Sequence, residues 1–396
     1  MKILVISYLF PNSVYPNYGI FVLNRLKALK KNCEIKVINP LPWFPFSSRF
    51  SRYGKFHDIP KYEIIEGIEV YHPRFPIIPK YFKLFDAISY SLVVVPLALE
   101  IRREFPYELI DLHWTYPDLP SGYMLSSITG KPFLTTLRGH EAFYIQESIG
   151  PRRAVQHLLK KSAAIIALSQ KLRVLAITRG CAKERIAVIR NGVDQSKFKL
   201  LPQEEAKQYL NLSPDERIIL VVGSLIQGKG IDRVISSLGE LVKKHSVVRL
   251  YLVGSEGAAG FYKNKLIEQI NDLHLEKYIT FVGEVENSEL IYWYNAADLF
   301  CLASRREGSP NVLTEALCCG CPAVATDVGS VAEIMSEKYL GFVVPNQDDI
   351  LEGLLLGLET SFDRQRINGH MAKYDWDWCA KQVLSVYNHV LNKETK

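Results

Sequence analysis

Short apolar runs separated by longer amphipathic stretches recur along most of the 396-residue chain. The second half is the more regular. There "RIILVVGS" (217–224) precedes a helical pattern over 231–244, and "VRLYLVGS" (248–255) precedes one over 261–273. "ITFVGEV" (279–285) precedes a helix over 288–296, and "LFCLAS" (299–304) precedes a helix over 310–319 that leads into "PAVATD" (322–327). The first half opens with a strand over Ile3–Ser7, a loop holding Gly19, a helix over Ile20–Lys31 and the strand "CEIKVINP" (33–40). After an aromatic-rich excursion come "ELIDLHW" (108–114), "PFLTTLRG" (132–139) and "AAIIALS" (163–169), each following a helical stretch. Strands that are apolar at nearly every position, alternating with helices, predict parallel sheets covered on both faces. Two such sheets in tandem predict an α/β protein of two Rossmann-like domains facing across a cleft, lined by strand C-terminal ends and helix N-termini.

The joint is expected at "VIRNGVDQSKF" (188–198), where Asn191-Gly192 is a strong turn signal. This sets a first domain over 1–190 and a second over 191–373. The amphipathic pattern over 374–396 reads as a helix long enough to cross back to the first domain.

Length alone favours two domains. The net charge of +6 favours anionic ligands or an anionic membrane surface, but no Lys/Arg run is dense enough for a nucleic-acid arm. Seven dispersed cysteines argue for a reduced compartment, and the cluster Cys318, Cys319 and Cys321 sits where small buried hydrophobes are expected. "MKILVISYLF" is too short an apolar run for a signal peptide, and "AISYSLVVVPLAL" (87–99) is too short to span a bilayer. A cytoplasmic protein is expected. The aromatic and basic segment 41–56 and the apolar segment 80–103 with its basic ends read either as a long loop packed on the first domain or as a device for peripheral association at the inner face of the plasma membrane.

Two segments carry candidate chemistry. Gly223 to Lys229 matches the first seven places of a phosphate-gripping loop, G-x-x-x-x-G-K, but the eighth place, which should offer a magnesium-binding hydroxyl, is Gly230. The only strand-end acid resembling a Walker-B partner, Asp111, lies in the other domain, so a P-loop is rejected. "GSEGAAG" (254–260) has the wrong glycine spacing for a dinucleotide fingerprint. The second segment is "SRREGSPNVLTEALCCGCPAVAT" (304–326). Ser309 can cap the helix there and Pro310 fits its first turn. Amides near the start of that helix, including those of Gly308, Ser309, Asn311 and Val312, form an anion site reinforced by the helix dipole. Glu315 follows Glu307 by eight residues and sits roughly 8 Å into the helix at about 1.5 Å per residue, close to the span from a diphosphate to the far edge of a ribose. In isolation the same pattern also describes a capped helix with an ordinary first-turn acid.

Together these segments resemble glycosyltransferase family 4, the retaining, nucleotide-sugar-dependent enzymes of the GT-B fold. "REGSPNVLTEALCCGCPAVATDVGSVAEI" resembles the family's E-x7-E segment, "VVGSLIQGKGIDRVI" its phosphate turn, "VIRNGVD" its linker and "YNAADLFCLAS" the strand before the acidic motif. The loop around Gly19 and "DLHWTYPDLPSGYM" resemble its first domain. The resemblance implies a transferase that moves a sugar from a UDP- or GDP-linked donor to a hydroxyl of a glycan or polyprenyl-linked acceptor, in bacterial cell-surface polysaccharide synthesis. It implies that Lys229 meets the donor diphosphate, that Gly19 lets the backbone approach the phosphates, and that Glu315 takes ribose hydroxyls. Gly283, Glu284 and Val285 would lie near the base, and Glu307 would orient the donor sugar. No cofactor and no metal are expected, and "DWD" (375–377) is read as structural.

The chain departs from the family in two places. Ser224 stands where an Arg is common, so either transfer is slower or another base, Arg138 or Arg305, replaces that cation. In "TTLRGHEAF" the family's sugar-contacting His aligns with Arg138, with His140 two residues on; one of them is expected to bind sugar or acceptor. His113 is expected either to line the acceptor side or to pack in the core. A sugar-nucleotide epimerase and a non-catalytic sugar-nucleotide binder share this frame and stand as alternatives.

Overall fold

A computed structural model describes residues 1–45, 54–78, 83–139, 149–256, 261–345 and 350–394. The chain divides into two compact units, Met1–Gly192 with Trp376–Lys396, and Val193–Asp375.

The first unit runs β1 (Lys2–Ile6), α1 (Ile20–Leu29), β2 (Glu34–Ile38), β3 (Leu41–Trp43), β4 (Tyr62–Ile65), β5 (Ile68–Tyr71), β6 (Arg74–Pro76), α2 (Lys83–Glu104) and β7 (Leu109–Leu112). It continues with α3 (Asp118–Thr129), β8 (Phe133–Leu137), α4 (Ile149–Leu159), β9 (Ala164–Ala167), α5 (Gln170–Thr178) and β10 (Ile186–Val188). Its main sheet has the order β10-β9-β8-β7-β1-β2-β5-β4, parallel except for the edge pair β4–β5. That hairpin turns at Glu66-Gly67, both with positive φ. Neighbouring residues of one strand point to opposite faces and are buried on both, which explains the unbroken apolar runs. Leu4 and Ile6 of β1 pack with Tyr90 and Val94 of α2, while Ile3 and Val5 pack with Leu26 of α1.

The second unit holds α6 (Gln203–Tyr209), β11 (Arg217–Val222), α7 (Ile231–Lys244), β12 (Val248–Val253), α8 (Phe261–Asp272), β13 (Ile279–Gly283), α9 (Leu290–Ala296) and β14 (Leu299–Leu302). After these come α10 (Asn311–Cys318), β15 (Ala323–Thr326), α11 (Val331–Ile334), β16 (Gly341–Val344), α12 (Leu351–Glu359) and α13 (Arg364–Met371). Its sheet is wholly parallel, β13-β12-β11-β14-β15-β16. The last helix, α14 (Trp376–Glu394), belongs to the first unit. Cys379, Val383, Tyr387 and Val390 recur every three to four residues along its buried face and pack with α1. Lys31 and Asp377 pair at 2.6 Å.

Both sheets reverse their strand order at one place, between β1 and β7 in the first unit and between β11 and β14 in the second. Beyond the carboxyl ends of strands at such a reversal the two connections part in opposite directions and leave a crevice, the usual ligand position in this class of sheet. The segments following β11 and β14 are the two that carry the candidate chemistry.

Candidate active site

After β11 the chain makes a single tight turn over Gln227–Lys229 and enters α7 through Gly230. Gly230 has φ +65°, and a Cβ there would lie 1.9 Å from the carbonyl oxygen of Ala303. The eighth place of the loop therefore cannot carry the Ser or Thr of a P-loop, whatever else surrounds it. That carbonyl belongs to the segment after β14, so the missing side chain lets the two strand-end connections touch.

The contact places Lys229 Nζ 2.7 Å from Glu307 Oε1, with both side chains largely but not wholly buried. Ser304 Oγ donates to the same oxygen at 2.8 Å. Arg305 ties the two connections together. Its backbone N–H donates to the Gly228 carbonyl at 2.8 Å, and its guanidinium donates to the Gln227 carbonyl and, at 2.8 and 2.6 Å, to the two oxygens of Asp232. Tyr262 OH donates to Asp232 at 2.6 Å. Burial pulls the Asp232 carboxyl upward, but these donors outweigh it and hold it below its ordinary range. Arg305 is thus held in a bidentate pair with Asp232, as Lys229 is held by Glu307. Ser224, at the position of that cation, lies 3.3 Å from Ser255, hydroxyl to hydroxyl.

Helix α10 starts at Asn311, with Pro310 as its N-cap and no side-chain cap bond. The expected Ser309 cap is therefore not made, because the proline sets the first residue one position later. Gly308, Ser309, Asn311 and Val312 lie at this start, and Ser330 N–H holds the Gly308 carbonyl at 3.0 Å. About one turn along, Glu315 is partly buried and accepts a 2.9 Å hydrogen bond from Tyr294 OH of α9. Burial pushes its carboxyl up to about 7, against the opposing effect of the Tyr294 bond. Gly283, Glu284 and Val285 lie at the C-terminal end of β13, with Glu284 exposed. Cys318, Cys319 and Cys321 are buried and free, and Cys318 Sγ meets the Phe198 carbonyl.

In the first unit, Gly19 caps α1 with φ +77°, and a Cβ there would lie 2.8 Å from the Leu9 carbonyl, so the fold itself requires glycine at this place. His113 follows β7 and is fully buried, so its ring lines no surface. The acceptor-lining expectation for its side chain is corrected: the ring is a link in a buried network. Arg138 Nη2 lies 2.7 Å from His113 Nδ1 and must donate, so Nδ1 accepts and Nε2–H donates to Asp111 Oδ2 at 3.1 Å. Tyr387 OH of α14 donates to the same oxygen at 2.5 Å. Burial pushes His113 down to about 4, and the Asp111 charge only partly offsets it. Arg138 Nε also donates to the His113 carbonyl, and its guanidinium lies over the Phe21 ring at 4.7 Å. Arg138 is 7% exposed. His140 lies outside the described residues.

Sequence reasoning thus named Lys229, Glu307 and Glu315 but missed Asp232, Tyr262, Tyr294, Ser304 and Tyr387. Apolar stretches flank Tyr294 and Tyr387, which read as core, and the hydroxyls gave no sign of their carboxylate partners.

Two family models match. Residues 202–369 match "Glycosyl transferases group 1", and residues 19–197 match "Glycosyltransferase Family 4". The chain belongs to the family 4 glycosyltransferases. Among its relatives is the putative teichuronic acid biosynthesis glycosyltransferase TuaC of Bacillus subtilis, 29% identical over 357 residues, which cover 89% of this chain and 87% of the relative. Two solved structures share the GT-B fold. Sucrose-phosphate synthase from Thermosynechococcus elongatus superposes with a TM-score of 0.79 at 18% identity, over 99% of this chain and all of that one. Anabaena Alr3699/HepE, solved in complex with UDP, superposes with a TM-score of 0.74 at 20% identity, over 98% of this chain and all of that one. As a family member the chain is a glycosyltransferase enzyme.

Proposed function

We propose that this glycosyltransferase moves a sugar, with retention of anomeric configuration, from a UDP- or GDP-linked donor to a hydroxyl of a glycan or lipid-linked acceptor in cell-surface polysaccharide synthesis. One observation carries the reading. Lys229 and Glu307 meet at 2.7 Å where the second sheet reverses, beside the start of α10, with Glu315 eight residues on. In this reading the Lys229 ammonium and the amides at the start of α10 hold the diphosphate and stabilise its charge as it leaves. Those groups supply the positive charge that a divalent ion provides elsewhere, so transfer proceeds without metal. Glu315 accepts ribose hydroxyls. Glu307 orients donor-sugar hydroxyls and stabilises positive charge at the reacting carbon. The phosphate oxygen that departs takes the acceptor proton on the same face.

The names of two similar proteins support the donor and pathway class: TuaC is described as a teichuronic acid biosynthesis enzyme, and HepE was solved in complexes with UDP and with UDP-glucose. Uridine donors are therefore the first to test. Among the described residues no helix is long and apolar enough to cross a membrane. We place the enzyme at the cytoplasmic face, attached peripherally through its acceptor. The first test is mass spectrometry after incubation with a panel of nucleotide sugars and glycan or prenyl-linked acceptors, with and without chelator. Free nucleoside diphosphate plus a glycosylated product at undiminished rate in chelator is expected. A changed sugar on an intact nucleotide would mean an epimerase, and retention without turnover would mean a binder.

A further inference from the structure

The first unit carries an apolar groove of about 370 Å³, within the size range of small-ligand sites. Helices α2, α3 and α4 wall it, through Ile88 and Leu92, Tyr123 and Met124, and Leu158, and Tyr116 also lines it. Ile88 and Leu92 are more than half exposed and Met124 nearly so. Side chains of this kind normally turn inward, and a contiguous set of them left in solvent marks a binding surface. The groove has a firm base. Tyr90 OH of α2 donates to Asp118 Oδ1 of α3 at 2.6 Å, and Asp118 also accepts from the backbone N–H groups of Trp114 and Tyr8, which locks both helices to the strand ends.

Two features identify the occupant. The α4 wall is basic: Arg153 is exposed next to the lining residue Ala154, and the described side chains of this helix include no acid. A rim of that charge complements a phosphate group. The second feature is direction. Tyr116 lies four residues beyond the C-terminal end of β7, at the sheet edge where Arg138 also sits, so the groove's lining reaches the strand C-terminal ends.

We propose that this groove holds the hydrocarbon tail of a phosphate-bearing prenyl acceptor, with the phosphate against the Arg153 guanidinium of α4 and the acceptor hydroxyl toward the strand ends. The proposal rests on the lipid-linked arm of the proposed function and adds the place where the lipid is recognised. Farnesyl diphosphate serves as the probe, titrated calorimetrically into the full chain against inorganic pyrophosphate. Binding at least tenfold tighter than pyrophosphate is expected. Leu92→Glu and Met124→Glu, at exposed positions that leave the core intact, should each weaken it by about tenfold or more, the scale expected for one large apolar contact. Both variants should keep wild-type transfer to a tail-free acceptor while raising KM for a prenyl-linked one. Equal affinity for farnesyl diphosphate and pyrophosphate, or no loss in either variant, overturns the proposal. Sedimentation with anionic vesicles that depends on Leu92 and Met124, without binding of the free prenyl probe, also overturns it and assigns the patch to a bilayer surface. Tight, groove-dependent prenyl binding by an enzyme that glycosylates only tail-free glycans would instead refute the lipid-linked acceptor and leave the groove standing.

Discussion

Replacing Lys229 by Met removes the one ammonium held at the crevice beside Glu307 and keeps most of the stem that packs over Gly223. That ammonium is engaged, 2.7 Å from Glu307 Oε1. A diphosphate must therefore share or take over a partner, and the carboxylate competes with it. A charge-assisted hydrogen bond contributes about 1.5–3 kcal/mol, so Lys229→Met should weaken nucleoside-diphosphate binding about ten- to 150-fold. Glu307→Gln has the opposite sign: it removes the competing charge, keeps the amide within reach of Ser304, and should leave affinity equal or tighter. The two effects are coupled, because without Lys229 there is no ammonium to free. Calorimetric titration of UDP and GDP into wild type, both single variants and the double variant closes the cycle. Lys229→Met with unchanged affinity for both nucleotides, or Glu307→Gln losing affinity as steeply as Lys229→Met, would refute the reasoning.

Three further outcomes follow from neighbouring groups. Gly230→Ala forces a Cβ against the Ala303 carbonyl at positive φ and should destabilise the protein by more than about 1 kcal/mol, read as a lower midpoint in denaturant. Glu315, raised by burial to about 7 from an ordinary 4.5, is largely protonated below that pH and accepts a ribose hydroxyl more strongly once ionised, so nucleoside affinity should climb between pH 6 and 8 and be flat there in Glu315→Gln. The same shift makes its contribution to folding stability greatest below about 4.5 and lost as pH rises through about 7. Tyr387→Phe removes a donor from the fully buried Asp111 and should lower stability by about 1–3 kcal/mol in thermal or chemical unfolding, with donor affinity unchanged.

What could be read from residue order is what local physics dictates. The apolar strands announced parallel sheets because burial on both faces leaves no polar alternation, and the amphipathic period placed α7 at Ile231–Lys244, the range expected. Glycines gave the turn before α7, since few residues tolerate its backbone. Contacts across long sequence separations were not legible. Nothing in the sequence joins Arg305 to Asp232, 73 residues apart, and a strand-end arginine beside a phosphate loop invites the reading of a free cation. His113 illustrates the same limit. A histidine after a strand looks available, but Arg138, 25 residues on, and Asp111 engage its two ring nitrogens, and Tyr387 of α14 holds that same Asp111. The Ser309 cap failed for a local reason: Pro310 displaced the helix start. The β4–β5 hairpin lies inside the aromatic excursion, and its Glu66-Gly67 turn is a weaker hairpin signal than Asn-Gly or Asp-Gly, since Glu66 takes a positive φ that favours other residues.

The central claim is that Glu307 acts on the transferring sugar and not on the grip of the nucleotide. Its most direct test is the turnover number of Glu307→Gln at saturating donor and acceptor, with UDP affinity measured on the same preparation. The account predicts a fall in kcat of at least about a hundredfold, the scale of losing one electrostatic contact to a developing charge, with affinity held or improved. Turnover within a few-fold of wild type at unchanged affinity would contradict it.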